Sequence, residues 1–352
     1  MRECASALAS ARAGEPFTVR FRVPEGITEW DDVVHGVTTF DNASIEDFVV
    51  LRTDGTPIYN LAVVSDDIAM RVTHVVRGDD HLANTPKQIL LYQALGAPVP
   101  VFGHLPMILG EDGRKLSKRH GATAVGDYAQ LGILPEALFN FLALLGWNPG
   151  DEREVMEREE LVQAFSLERI NKKAAVFDTE KLLWMNGQYL AKKSAEELLP
   201  LVAPQLLEEG LVPQAEVDAR SPRVLALVEA LKVRSRSTRE FAKQAKPLLA
   251  DTVEYDEAAV AKHWKDPATA ERLRAVRDLL ATLDPWTPEA IEPALRQAAE
   301  NAGVGFGKVA QPLRVALTGS AASPGIDQVL WIMGRERALG RIGAALGRLE
   351  RL

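Results

Sequence analysis

The chain has 352 residues, 47% hydrophobic and 26% charged, the composition of an ordinary folded protein with room for two or three domains. No apolar run approaches the length that crosses a bilayer, and the opening Met1-Arg2-Glu3-Cys4 has no apolar stretch of the secretory kind; a cytoplasmic location is the expectation. Cys4 is the only cysteine, which excludes intrachain disulfides and a cysteine-rich zinc site. The formal net charge of −8 argues against a nonspecific nucleic-acid binder, although local basic surface can still meet RNA. Such clusters occur at Arg114-Lys115 with Lys118-Arg119, at Lys172-Lys173, from Lys232 through Arg239, and along Arg335, Arg337, Arg341, Arg348 and Arg351. Each taken alone reads most simply as a solvated face.

In chain order, Phe17-Thr18-Val19-Arg20-Phe21-Arg22-Val23 alternates apolar and polar residues and predicts a half-buried strand. Asp47-Phe48-Val49-Val50-Leu51 predicts another, closed by the turn Asp54-Gly55 with Pro57 beyond. A helix is expected from Tyr59 to about Met70, then a buried strand over Val72-Thr73-His74-Val75-Val76 and a turn at Arg77-Gly78-Asp79-Asp80-His81. Asn84 is placed to cap the next helix, Pro86 fits its first turn, and Gly96 stops it. This succession suits an α/β sheet carrying its ligand at the strand C-termini. After Ala122 the character turns helical, with Leu138, Phe141, Leu142 and Leu145 on one face of a helix opened by Pro135 and ended by Gly146. Beyond about residue 190, apolar residues recur at helical spacing, as in Leu225, Val228 and Leu231 or Val329, Ile332 and Met333. The C-terminal half is expected to be all-α.

The most informative stretch is Gly110-Glu111-Asp112-Gly113-Arg114-Lys115-Leu116-Ser117-Lys118-Arg119-His120-Gly121. Its glycines predict a mobile loop, and two lysines sit three residues apart between them. A mobile ammonium brought against phosphates can favour a transition state in which charge grows on their oxygens. Ser117 adds a small hydroxyl. Composition alone also fits a solvated basic hairpin.

A second constellation joins Tyr59, on the expected helix, to Arg77 and Asp80 at the strand end. Arginine offers a planar fork for a carboxylate, an acid suits an ammonium, and a tyrosine hydroxyl can close a pocket. Asp79-Asp80-His81 equally fits a helix-capping turn; a metal site is a third reading, disfavoured because three adjacent side chains of a turn rarely converge on one ion.

Lys115-Leu116-Ser117-Lys118-Arg119 resembles the KMSKS loop of class I aminoacyl-tRNA synthetases, and the run from His104-Leu105-Pro106-Met107-Ile108-Leu109 through His120-Gly121 resembles its glutamyl-tRNA synthetase form. The resemblance continues over Phe177-Asp178-Thr179-Glu180-Lys181-Leu182-Leu183-Trp184-Met185-Asn186-Gly187 and Gln311-Pro312-Leu313-Arg314-Val315-Ala316-Leu317-Thr318-Gly319. It implies a partial Rossmann-type α/β catalytic fold followed by an all-α tRNA-binding region, the bacterial type. Implied boundaries are 1-52 for a remnant of the acceptor-stem-binding insertion, 53-121 for the second half of the nucleotide-binding fold, 122-190 for stem-contact helices and 191-352 for anticodon binding.

By the same resemblance Lys118 is catalytic, stabilising departing pyrophosphate as glutamyl-adenylate forms, and Lys115, Leu116, Ser117, Lys118 and Arg119 hold ATP with its Mg2+. Tyr59, Arg77 and Asp80 would contact glutamate. Asp79, where the family more often has glutamate, is left out for its shorter reach. Arg234, first, and Lys232 would contact tRNA-Glu. No zinc is implied, no membrane partner, and a monomer. The family's histidine motif, which faces the KMSKS loop across ATP, matches nothing after Met1. The chain is therefore expected to be N-terminally truncated and inactive alone, from a short gene model or an internal start. The alternative is a noncatalytic tRNA-binding fragment. The paralogue that glutamylates queuosine lacks an anticodon region, and the glutaminyl enzyme has β-barrels there.

Overall fold

The computed structural model describes residues 12–117 and 124–351. The chain divides into two compact units, Met1–Thr123 with Phe139–Asp178, and Ala124–Leu138 with Thr179–Leu352.

The first unit is α/β. β1 (Val19–Phe21) pairs antiparallel with β4 (Phe48–Leu51), while β2 (Ile27–Asp32) and β3 (Gly36–Asp41) form a hairpin. α1 (Tyr59–Met70) leads to β5 (His74–Gly78), and α2 (Thr85–Ala94) crosses to β6 (Val101–Leu105), which runs parallel to β5. A parallel pair needs such a crossover because a tight turn cannot reverse the chain twice. The four-stranded sheet has the order β3-β2-β6-β5, so it takes strands from both sides of residue 52. Trp30, Val50, Val64, Ile89, Leu91, Tyr92 and Phe102 form its core, where α1, α2 and the sheet bury their apolar sides. β7 (Ile108–Leu109) pairs with a short strand at Ala175–Val176, and Trp147, Met156 and Leu161 make a smaller core.

The expected helix at Tyr59–Met70 is present with those bounds. The following strand starts two residues later than its apolar run suggested. Arg71 adopts a left-handed conformation, and the Arg71 and Val72 N–H groups cap the carbonyls of Ile68 and Asp67, so Val72 belongs to the helix terminus. Asn84 does not cap α2 with its side chain. A 3-10 turn over Asp79–Asn84 runs straight into the helix, leaving Asn84 itself helical. Pro86 does lie in the first turn. The alternating segment at 17–23 yields only three strand residues, and Phe17 and Val19 are exposed, because β1 lies outside the main sheet.

Every element of the second unit is helical among the described residues, as its periodicity predicted. Val228, Leu231, Val329, Ile332 and Met333 are buried, whereas Leu225 is only partly so. In the helix opened by Pro135, Leu138 and Phe141 are buried but Leu142 is 43% exposed, outside the apolar stripe predicted for it. Arg341 departs from the solvated-face reading of the C-terminal arginines. It is buried, and its guanidinium donates to the carbonyls of Pro247, Ala250 and Leu317, near the C-termini of the helices Glu240–Leu249 and Gly307–Thr318. A cation at helix C-termini meets the negative end of their dipoles and satisfies carbonyls that have no helical partner.

Gly319 ends the helix Gly307–Thr318 at φ +72°, and its carbonyl accepts the Asp256 N–H at 2.9 Å. A Cβ there would collide with the Glu254 carbonyl. Gly319→Ala should therefore cost the helical unit about 2–4 kcal/mol through left-handed strain and overpacking. Gly343→Ala, inside the helix Arg335–Leu349 with open space around it, should leave stability equal or raise it by about 0.5–1 kcal/mol. Thermal unfolding of the two variants checks the contrast; equal melting points would remove the packing account.

Candidate functional site

The two parallel strands β5 and β6 end side by side, with Arg77 in register with His104 and Gly78 with Leu105. Side chains at these C-terminal ends face the place where α/β sheets bind ligands. Arg77 is half-buried; its Nε donates to His104 Nε2 at 3.3 Å, and its Nη2 donates to the buried Thr85 hydroxyl at 2.8 Å. Its Cζ lies 5.5 Å from the centre of the Phe102 ring. Burial pulls the Arg77 pKa down from the usual arginine range, and the nearby Tyr59 hydroxyl opposes this. Among the described residues, no carboxylate forms an ion pair with Arg77.

Behind Arg77, His104 Nδ1 lies 2.5 Å from Asp32 Oδ2, with both side chains fully buried. Asp32 Oδ1 also accepts backbone N–H groups of Val34, His35 and His104, each at 3.1 Å. Burial alone would raise the Asp32 pKa, but the imidazole and these three amides outweigh it and hold the carboxyl at about 2. Burial lowers the His104 pKa, opposed by Asp32, and the Arg77 Nε–H donating to Nε2 requires that nitrogen to carry no proton.

Asp80 follows on the 3-10 turn and pairs with Lys115 Nζ at 2.9 Å; this ammonium holds the exposed Asp80 carboxyl below its ordinary pKa. Lys115 stands on a small hairpin, in which Gly110 N–H donates to the Arg114 carbonyl and Leu116 N–H to that of Ile108. Gly113 turns this hairpin at φ +74°, a conformation open to glycine without a Cβ penalty. Leu116 is partly buried and Ser117 is exposed. Lys118 and Arg119, the remaining expected ATP contacts, lie outside the described residues. Tyr59, 49% exposed, places its hydroxyl 3.4 Å from His81 Nδ1. The structure thus gathers Tyr59, Arg77, Asp80 and Lys115 around one strand end. Sequence reasoning missed Asp32, His104 and Thr85; no local spacing links Asp32 to a histidine 72 residues later.

In the helical unit, Arg234 Nη2 donates to the Ser323 carbonyl at 2.7 Å, and Arg314 Nη1 donates to the same carbonyl at 3.1 Å. The Arg314 Nε is buried without a partner, and burial together with the charge of Arg234 lowers its pKa. Arg234, Lys243, Gln244, Ser320, Ser323 and Pro324 line a cavity of about 470 Å³ there. Lys232 is not part of this group. Its ammonium donates to the Lys193 carbonyl at 2.9 Å and pairs with Glu229 at 2.7 Å, leaving the side chain 12% exposed.

Residues 2–184 match the family described as tRNA synthetases class I (E and Q), catalytic domain, and residues 193–346 match the anticodon binding domain family. A glutamate–tRNA ligase of Syntrophobacter fumaroxidans is 46% identical over 340 residues, covering 96% of this chain and 71% of the relative. One from Thermodesulfovibrio yellowstonii is 47% identical over 329 residues, 93% of this chain and 70% of its own length. The crystal structure of a glutamate tRNA ligase from Elizabethkingia meningosepticum, in complex with its amino acid, superposes with a TM-score of 0.87 at 30% identity. That match covers 98% of this chain and 71% of the other. The chain therefore belongs to the class I tRNA synthetases for glutamate and glutamine, and within them to the glutamate–tRNA ligases.

The Asp32–His104 pair makes the first unit sensitive to acid in two windows. An unfolded imidazole takes a proton below about pH 6.5 while buried His104 resists, so stability declines as pH falls from there. The Asp32 contribution is complete above its unfolded pKa near 3.8 and is lost as pH falls through about 2, on the order of 2 kcal/mol. Denaturant unfolding of the first unit, followed at a series of pH values, should show both losses, and Asp32→Asn should remove the lower one. Wild-type stability that stays flat from pH 7 to pH 2 contradicts this arrangement.

Proposed function

We propose that this chain supplies the glutamate site, one side of the ATP site and the tRNA-binding body of a glutamate–tRNA ligase, which joins glutamate to the 3' end of tRNA-Glu through an adenylate. The observation that carries the reading is Arg77: a half-buried guanidinium at a strand C-terminus, with no carboxylate pairing it among the described residues. A buried cation without a counterion is unfavourable, and a ligand carboxylate removes that cost while gaining two charge-assisted hydrogen bonds. Tyr59 flanks this guanidinium, and Asp80 lies on the turn that follows its strand, an acid suited to the ligand ammonium. Both relatives and the solved neighbour named above are glutamate–tRNA ligases, which supports glutamate as the carboxylate.

ATP, carrying its Mg2+ as part of the substrate, would lie along the hairpin of Lys115, Leu116 and Ser117, with Lys118 and Arg119 following in sequence. Positively charged donors on a hairpin tip act by meeting charge that develops on the phosphates. Leu116 would contribute through its backbone and packing. For the RNA, the Arg234 cavity offers one guanidinium, the Lys243 ammonium and the flat amide of Gln244, features that suit an unpaired nucleotide. Lys232, engaged internally, would help by tying the end of the helix Pro222–Lys232 to the Lys193 carbonyl.

Calorimetric titration with L-glutamate and filter binding of tRNA-Glu test the assignments separately. Arg77→Ala should weaken glutamate binding about 100-fold, the value of a charge-assisted pair, and leave tRNA affinity unchanged. Arg234→Ala should weaken tRNA about tenfold, reduce the salt slope by about 1 and leave glutamate untouched. A wild-type chain that retains tRNA but takes no glutamate would leave only the noncatalytic tRNA-binding reading.

A further inference from the structure

We propose that Asp32 and His104 are positioning residues for the glutamate site: the buried carboxylate sets the imidazole tautomer, and the imidazole lone pair sets the plane of the Arg77 guanidinium. The inference rests on the reading of Arg77 as the carboxylate-binding group. Its geometry begins at Asp32, whose two oxygens accept three backbone amides, the Trp30 indole N–H at 3.3 Å and the His104 ring at 2.5 Å. A carboxylate held by so many donors stays ionised and does not rotate. It therefore takes the proton of a neutral His104 on Nδ1.

The other ring nitrogen must then be an acceptor. Arg77 Nε can only donate, and it lies 3.3 Å from His104 Nε2. The Thr85 hydroxyl completes the set, accepting from Arg77 Nη2 at 2.8 Å while lying 2.9 Å from His104 Nε2, to which it can donate. Arg77 is thus gripped along its Nε–Nη2 edge, with Phe102 against one face of the guanidinium. A planar fork clamped on one edge and one face presents its Nη1–Nη2 edge, with the Tyr59 hydroxyl beside the guanidinium, to a bidentate carboxylate. Misplacing such a group by about 1 Å costs on the order of 100-fold, and groups that orient a primary ligand typically contribute 10–100-fold.

The tautomer makes the proposal testable with near-isosteric changes. Asp32→Asn can still accept backbone amides but presents an NH2 to the ring. This moves the imidazole proton to Nε2, where it opposes the Arg77 Nε–H. His104→Asn reaches Asp32 and has no acceptor near Arg77; His104→Gln can place its carbonyl where Nε2 was. Asp32→Asn and His104→Asn are expected to weaken L-glutamate binding 10–100-fold with tRNA affinity unchanged, and His104→Gln to recover part of the loss.

Nitrogen-15 NMR of labelled histidine should show His104 protonated on Nδ1 in the wild type and on Nε2 in Asp32→Asn, a signature that packing alone does not produce. A wild-type ring protonated on Nε2 overturns the proposal whether or not any variant folds. So does wild-type glutamate affinity in folded Asp32→Asn or His104→Asn while Arg77→Ala is impaired. Unimpaired binding by Arg77→Ala instead overturns the underlying assignment of Arg77.

Discussion

The sheet of the first unit is joined at its middle by very little backbone: β2 meets β6 through a single residue pair, Asp32 with Phe102. The buried Asp32 side chain makes up the difference, because it accepts the His104 N–H from across the gap as well as two amides of its own hairpin turn. A lone carboxylate in an apolar core is costly, and this one is stable only because every acceptor direction meets a donor. On the β2 side, β6 is held by that interaction together with the Val33 N–H, which donates to the Phe102 carbonyl at 2.9 Å. Since β6 carries His104 and leads into the hairpin of Lys115, the constraint extends from the core to the exposed rim.

Three arginines show how partners separate structure from function. Arg341 is surrounded by carbonyl acceptors and does the work of a helix terminator for two segments distant in sequence. Arg314 has carbonyl and hydroxyl partners on Nη1 yet an unpartnered buried Nε beside a polar cavity. Arg77 is clamped along one edge and has no carboxylate pairing it among the described residues. Arg341 also buries an Nε without a partner, so what separates the three is what their Nη groups meet: helix-end carbonyls in the first, a loop carbonyl beside the cavity in the second, and a threonine hydroxyl in the third. Only the geometry distinguishes them, since all three are arginines amid helices and strands of unremarkable sequence.

Much of the local architecture was legible in the residues. The apolar spacing of Tyr59–Met70 and of the C-terminal helices produced the observed elements, because burial of one face follows directly from period. What failed was governed by neighbours: Val72 was recruited to a helix cap, Asn84 was absorbed into a 3-10 turn, and Leu142 found no surface to cover. At the site, Tyr59, Arg77, Asp80 and Lys115 could be singled out because each lies in a recognisable stretch. Their supports could not, because Asp32 and His104 meet only once the sheet has formed, and a single Trp-Asp-Asp string carries no sign of its partner. The lining of the Arg234 cavity was half visible, since Ser320, Ser323 and Pro324 lie more than 80 positions downstream of Arg234.

The pairing of Lys115 with Asp80 means that the hairpin tip already carries an anion of its own. A triphosphate bound there as proposed would exchange one negative partner for another, so the gain from Lys115 would be the difference between two attractions and not the whole of either. Because both groups are well exposed, that exchange is cheap in both directions. The freed Asp80 carboxylate, three residues after Arg77, would then be available to an incoming ammonium. On the proposed assignments, nucleotide arrival and amino-acid capture would be coupled through a single shared acid.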